Sequence, residues 1–175
     1  MERPFFLLVL TLSIMTLIME LAVGTGHAEN IDPDDNDSQY AYGENVGWLN
    51  AEPSGDGGDG VQVDGFKLTG YIWAENIGWI SLSCQNTASC TTVDYGVVND
   101  GLGYLSGYAW GENVGWINFA PNRGNVRINS QGRFTGYAWG ENVGWINFNS
   151  HKLVSSWLGV GSGAMPWIFL LLLDD

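Results

Sequence analysis

The stretch Gly136-Tyr137-Ala138-Trp139-Gly140-Glu141-Asn142-Val143-Gly144-Trp145-Ile146-Asn147-Phe148 decides the fold, because the chain repeats it. The same residues stand unchanged at 107–119. A close copy, GYIWAENIGWISL, spans 70–82, and a shorter one, YAYGENVGWLN, spans 40–50. The leading tyrosines, Tyr40, Tyr71, Tyr108 and Tyr137, lie 31, 37 and 29 residues apart. Periods of this size belong to arrays, solenoids and propeller blades, in which one unit cannot bury its apolar surface alone.

The unit reads as β structure. Aromatic and β-branched residues dominate Phe134–Trp139 and Trp145–Phe148, as half-buried pleated surfaces favour. Between them lies Gly140-Glu141-Asn142-Val143-Gly144, a connection bounded by glycines, in which Gly and Asn tolerate the positive φ of tight hairpins. The spacing predicts an antiparallel hairpin with Trp139 opposite Trp145. Alternation then puts Tyr137, Trp139, Trp145 and Asn147 on one face, and Phe134, Ala138, Ile146 and Phe148 on the other. Both faces are largely apolar, so both are expected to be covered, with neighbouring repeats as the covering.

A third strand is expected upstream of each later hairpin, at Val61-Gln62-Val63, Val97-Val98-Asn99 and Val126-Arg127-Ile128-Asn129. Turn signals follow at Asp64-Gly65, Asp100-Gly101 and Ser130-Gln131-Gly132. The first copy lacks this strand, and Lys152–Trp157 after the last copy can supply a terminal one. The expected fold is therefore all-β: tandem three-stranded antiparallel meander repeats over 40–157, as a stacked array or a small propeller-like ring.

Residues 1–28 read as a secretory signal peptide, with Arg3, an apolar run from Phe5 to Met19, and small residues ending at Ala28. Glu20 cuts the run short of the roughly 20 apolar residues a membrane helix needs. Removing Glu2, Glu20 and Arg3 takes the formal charge from −13 to −12. Such acidity argues against nucleic acid or anionic lipid as partners.

Residues 29–39 form an acidic leader whose composition reads as disordered. Asp32, Asp34 and Asn36 alternate as in a calcium loop, but the sixth and twelfth positions hold Asp37 and Gly43 instead of the required Gly and Glu. A second acidic stretch, SGDGGDG at 54–60, is expected as a flexible linker, and Asp56, Asp59 and Asp64 are candidate calcium ligands. Calcium is the one cofactor left open. Cys84 and Cys90, an even pair in an exported chain, are expected to form a disulfide.

Glu44, Glu75, Glu112 and Glu141 recur in every turn, each followed by Asn. Four equivalent carboxylates argue against catalysis, which needs one site with carboxyls in unlike environments. The mature chain has His151 as its only histidine, so no Ser-His-Asp grouping can be assembled, and the expectation is a non-enzyme. The structural reading has Glu accepting turn N–H groups and Asn taking the strained turn position. The functional reading makes Glu112, Asn113, Glu141 and Asn142 ligand-binding, beside Trp73, Trp79, Trp110, Trp116, Trp139 and Trp145. Those tryptophans are expected chiefly as core. The alternative is a line of partly exposed rings for polysaccharide, since a pyranose has an apolar face and hydroxyl edges.

GYAWGENVGWINF, with a Cys-loop-Cys and then VDYGV before the next copy, resembles tandem repeats in exported surface proteins of environmental bacteria. The likeness covers 40–148 and implies an extracellular, non-enzymatic β-repeat protein. The expected role is structural or adhesive at the cell surface, or carbohydrate-binding. The apolar segment at 158–175, with Met165–Leu173 as its core, is expected to promote contact with membrane or with other copies. It is too short for a spanning helix.

Overall fold

The computed structural model describes residues 30–53 and 60–159. The expected signal peptide, Asp56, Asp59 and nearly all of the apolar C-terminal segment lie outside those residues. The described chain is all-β, with no helix. In order it forms β1 (Gln39–Gly43), β2 (Gly47–Asn50), β3 (Gln62–Val63), β4 (Lys67–Thr69), β5 (Tyr71–Ala74), β6 (Gly78–Ser81) and β7 (Val97–Asn99). Then come β8 (Leu105–Gly111), β9 (Gly115–Asn118), β10 (Arg127–Ile128), β11 (Phe134–Thr135), β12 (Tyr137–Gly140) and β13 (Gly144–Leu153).

Each repeat is a hairpin: β1–β2, β5–β6, β8–β9 and β12–β13. The register is the same in all four. In the last, Ala138 pairs with Ile146 and Trp139 with Trp145. The turns are three-residue loops closed by Val46 N–H to Gly43 C=O and its equivalents at Ile77, Val114 and Val143. The positive φ falls on Gly47, Gly78, Gly115 and Gly144, between +75° and +79°. The asparagines do not take the strained position, and the expectation that they would is corrected.

Neighbouring hairpins pair through β2–β5, β6–β8, β9–β12 and β13–β1. The result is an eight-stranded antiparallel closed barrel with extra short strands, rather than a stack or a propeller-like ring. Closure leaves none of these hairpins with an unpaired edge. β3, β7 and β10 occur where an upstream strand was expected, and pair with β4, the start of β8, and β11. β4 also pairs with β7, and bridges at Tyr104–Arg127, Arg133–Val154 and Ile31–Ser155 continue this second tier. The first hairpin, which lacks an upstream strand of its own, is completed from the far end of the chain. Gln39 pairs with Leu153 and Tyr40 with Lys152.

The acidic leader is not a separate disordered segment where it is described. Ile31 is buried, the Asp32 N–H donates to Val154 C=O (2.9 Å), and residues 32–38 form a turn on the barrel.

Alternation assigns the two faces as expected, but only one of them is covered. Ala41, Leu49, Ile72, Ile80, Ala109, Ile117, Ala138 and Ile146 fill the interior beneath the turns. Val46, Val114 and Val143 close that end from above. Lower down, Phe148 packs against Phe119 (5.7 Å between centroids) and Phe134 (6.2 Å). Eight strands leave an interior just wide enough for such side chains. The aromatic face points outward, and no neighbouring repeat covers it.

Candidate functional site

The outward position of each hairpin strand is occupied by a ring, and cross-strand register brings the rings together. Trp73 and Trp79 lie 4.7 Å apart, Trp110 and Trp116 4.6 Å, Trp139 and Trp145 4.8 Å, and Tyr42 and Trp48 5.1 Å. A tyrosine flanks each pair edge-on: Tyr40, Tyr71, Tyr108 and Tyr137, at 6.0–6.3 Å from the second-strand tryptophan. Four such clusters girdle one half of the barrel. Trp48, Trp79, Trp116 and Trp145 are 56, 45, 41 and 42% exposed, and Trp139 is 37% exposed. Trp73 and Trp110 are half-buried. Chiefly-core tryptophans were expected, and the girdle corrects that. These rings contribute to stability through one another, at about 0.5–1.5 kcal/mol per pair.

The turn asparagines have a structural partner that local spacing did not reveal. Asn76 Nδ2 donates to Val46 C=O (3.1 Å), Asn113 to Ile77 C=O (3.0 Å), and Asn142 to Val114 C=O (3.0 Å). Asn45 completes the circle by donating to Val143 C=O (3.1 Å). Each turn thus holds its predecessor. Glu44, Glu75, Glu112 and Glu141 point outward beside them, exposed, and accept no turn hydrogen bond among the described residues. That leaves four carboxylates at one rim of the barrel, free for solvent or a ligand.

Between adjacent hairpins the girdle opens into grooves. Between the first and second hairpins, a groove of about 670 Å³ is lined by Trp48, Trp73, Glu75 and Asn76, with Tyr40, Asp37 and Lys152 at its edges. The larger one, between the second and third, is about 960 Å³ and is lined by Tyr71, Trp79, Trp110, Trp116, Glu112 and Asn113. The sizes fall in the range of small-ligand sites. Four of the candidate tryptophans, with Glu112 and Asn113, thus gather in these two grooves. Trp139, Trp145, Glu141 and Asn142 occupy the equivalent places on the fourth hairpin.

One wall of the larger groove comes from outside the repeat. Ser83 and Gly96 pair across the base of a loop that carries the Cys84–Cys90 disulfide, with sulfurs 2.00 Å apart. That loop presents Thr87, Ser89, Val93 and Tyr95 to the groove. Tyr95 packs edge-on against Trp116 (5.4 Å) and its hydroxyl donates to Ser81 Oγ (2.9 Å). Sequence reasoning missed these residues. The available signal was the 37-residue spacing of Tyr71 and Tyr108, the longest of the three, which marks an enlarged connection.

Of the candidate calcium ligands Asp56, Asp59 and Asp64, Asp64 alone lies among the described residues. Asp64 Oδ1 accepts the N–H groups of Phe66 (2.6 Å) and Lys67 (2.8 Å) and so caps the β3–β4 turn. Asp32 turns inward, its Oδ1 accepting Ser38 O–H (2.6 Å) and Asn36 N–H (3.0 Å). Among the described residues no three carboxylates come within metal-binding reach of one another. Cys84 and Cys90 lie near Asp94, but the disulfide leaves no thiolate for a metal. No family model matches the chain, and no curated protein or solved structure matches it.

Proposed function

We propose that this chain is an exported, non-enzymatic carbohydrate-binding module that holds polysaccharide in the grooves between its hairpins. The observation that carries the reading is the outward girdle. The modest mutual stabilisation of the tryptophan pairs does not require them to face solvent, whereas a pyranose ring stacks its C–H face on an indole exposed in this way. Glu and Asn at the groove lip then meet its hydroxyls. Contiguous exposed apolar surface rimmed by polar groups marks a binding surface. Surface adhesion follows from such binding rather than competing with it, and the disulfide suits a location outside the reducing cytoplasm.

A membrane-spanning barrel is the rival use of an aromatic girdle. It needs an outward apolar band about 25 Å tall. Here the outward positions next to the girdle are Lys67, Thr69, Ser106 and Thr135, so the apolar zone is too short.

The test is a titration of intrinsic tryptophan fluorescence of the full chain with soluble polysaccharides, run beside a Trp79→Ala/Trp116→Ala variant. A saturable shift that the variant loses, with its circular dichroism unchanged, supports the reading. Absence of any shift across the panel in a folded protein rejects it.

A further inference from the structure

The groove between the second and third hairpins differs from its sister in charge as well as size. Its lining includes one charged side chain, Glu112, and no Lys, Arg or His. The smaller groove carries Lys152 beside its carboxylates. The same groove is lined by five rings: Tyr71, Trp79, Trp110, Trp116 and, from the disulfide loop, Tyr95. An aromatic concavity with a lone carboxylate has a specific electrostatic preference. Ring faces are negative and attract a cation placed over them, the more so as water is displaced. The carboxylate adds an ion pair to the same cation. Glu44, Glu75 and Glu141 extend negative potential around the rim, and the chain as a whole carries −13, which draws a polycation and repels a polyanion.

We propose that this groove selects an amino sugar bearing a free ammonium group, as in a polymer of glucosamine, with the sugar ring on Trp116 and Trp79 and the ammonium at Glu112. The proposal rests on the carbohydrate-binding reading and narrows it from glycans in general to cationic ones. Neutral sugars can stack in the groove but leave Glu112 without a countercharge, and uronic acids meet repulsion there.

The experiment compares a glucosamine tetramer, its N-acetylated counterpart and a neutral glucose tetramer against the full chain by calorimetry. The pH is held at about 6, below ordinary amine pKa values. The expected result is binding of the free amine about tenfold tighter than the N-acetyl form, a preference weakened by salt. In Glu112→Gln the ratio of the two affinities should fall several-fold, leaving only the share due to the rings and the net charge. Equal affinities in the unaltered protein overturn the proposal while leaving the carbohydrate reading intact. So does a preference that Glu112→Gln does not change, because it would come from the rings and the net charge alone. No binding of any of the three overturns both.

Discussion

The side-chain amide of Asn45 donates to the main-chain oxygen of Val143, 98 residues further along the chain, at 3.1 Å. This bond joins the first turn to the last. It makes the rim a closed circle in which every asparagine has the same task, so its loss opens the circle where the chain ends must meet. Asn45→Ala should lower stability by about 1 kcal/mol, the usual net worth of one such bond. Urea unfolding checks this. The same substitution at Asn113 should cost a similar amount, and a null effect at both positions would remove the circle from the stability account.

A second prediction concerns the bend between the two tiers. Gly136 has φ +92° where β11 runs into β12, and a Cβ there would overlap the carbonyl oxygen of Asn125. Both the backbone conformation and the space require glycine. Gly136→Ala should cost more than about 3 kcal/mol, or prevent folding. Gly65→Ala is the contrast, since its φ is ordinary and its nearest neighbour, Trp157 Nε1, lies 3.9 Å away. It should change the thermal midpoint little.

Much of this was legible in the repeat itself. Alternation in Tyr137-Ala138-Trp139 fixed which side chains share a face, and glycine spacing fixed the hairpin and its Trp139–Trp145 pair. Closure was not legible, because β13–β1 joins residues more than a hundred positions apart and leaves no periodic trace. Nor did hydrophobicity say which face is inside. Ala138 and Ile146 are less bulky than Trp139 and Trp145, yet beneath the turns the barrel interior holds small and branched side chains and the indoles face outward. The partner of Asn142 was hidden for the same reason: Val114 is near in space and 28 residues away in sequence.

The acidic turn at 32–38 gives a pH prediction. Burial opposes ionisation of Asp32 and is the largest single influence on it. The N–H of Asn36, the hydroxyl and N–H of Ser38, and the N–H of Asp37 together outweigh it and hold the carboxyl below its ordinary value of 3.8. A depressed folded value means that the ionised form stabilises the fold. The contribution is present above pH 3.8 and is lost as pH falls through the lower folded value. Asp32→Asn should therefore be less stable than the unaltered chain at neutral pH, with the gap narrowing in acid below that value. Thermal midpoints across the pH range measure it, and a gap that stays constant would show that Asp32 acts through packing alone.

The disulfide and the groove wall should separate in a Cys84→Ser/Cys90→Ser variant. Closing so short a loop contributes about 2 kcal/mol in the chain-entropy view, so the barrel should survive with a lower midpoint. The loop that carries Tyr95 would then be freer, and the edge-on contact of Tyr95 with Trp116 less populated. Glycan affinity should fall more in the larger groove than in the smaller. Competition in variants lacking Trp48 or Trp116 distinguishes the two, and equal losses in both grooves would show that the loop does not shape its site.

The girdle itself makes the last prediction, which needs no ligand. Trp48, Trp79, Trp116, Trp139 and Trp145 are each more than a third exposed, so the folded protein should emit toward the red and be quenched readily by acrylamide. Trp116→Ala removes contacts to Trp110, Tyr108 and Tyr95, yet opens no cavity in the barrel interior, because the ring lies outside it. Its cost should be about 1 kcal/mol, against about 2–5 kcal/mol for the inward Ile117→Ala one residue later. Adjacent positions on one strand would then differ several-fold in their effect on folding, with the larger loss on the smaller side chain. A strongly destabilising Trp116→Ala, or emission that stays blue and shielded, would place the rings in the core after all.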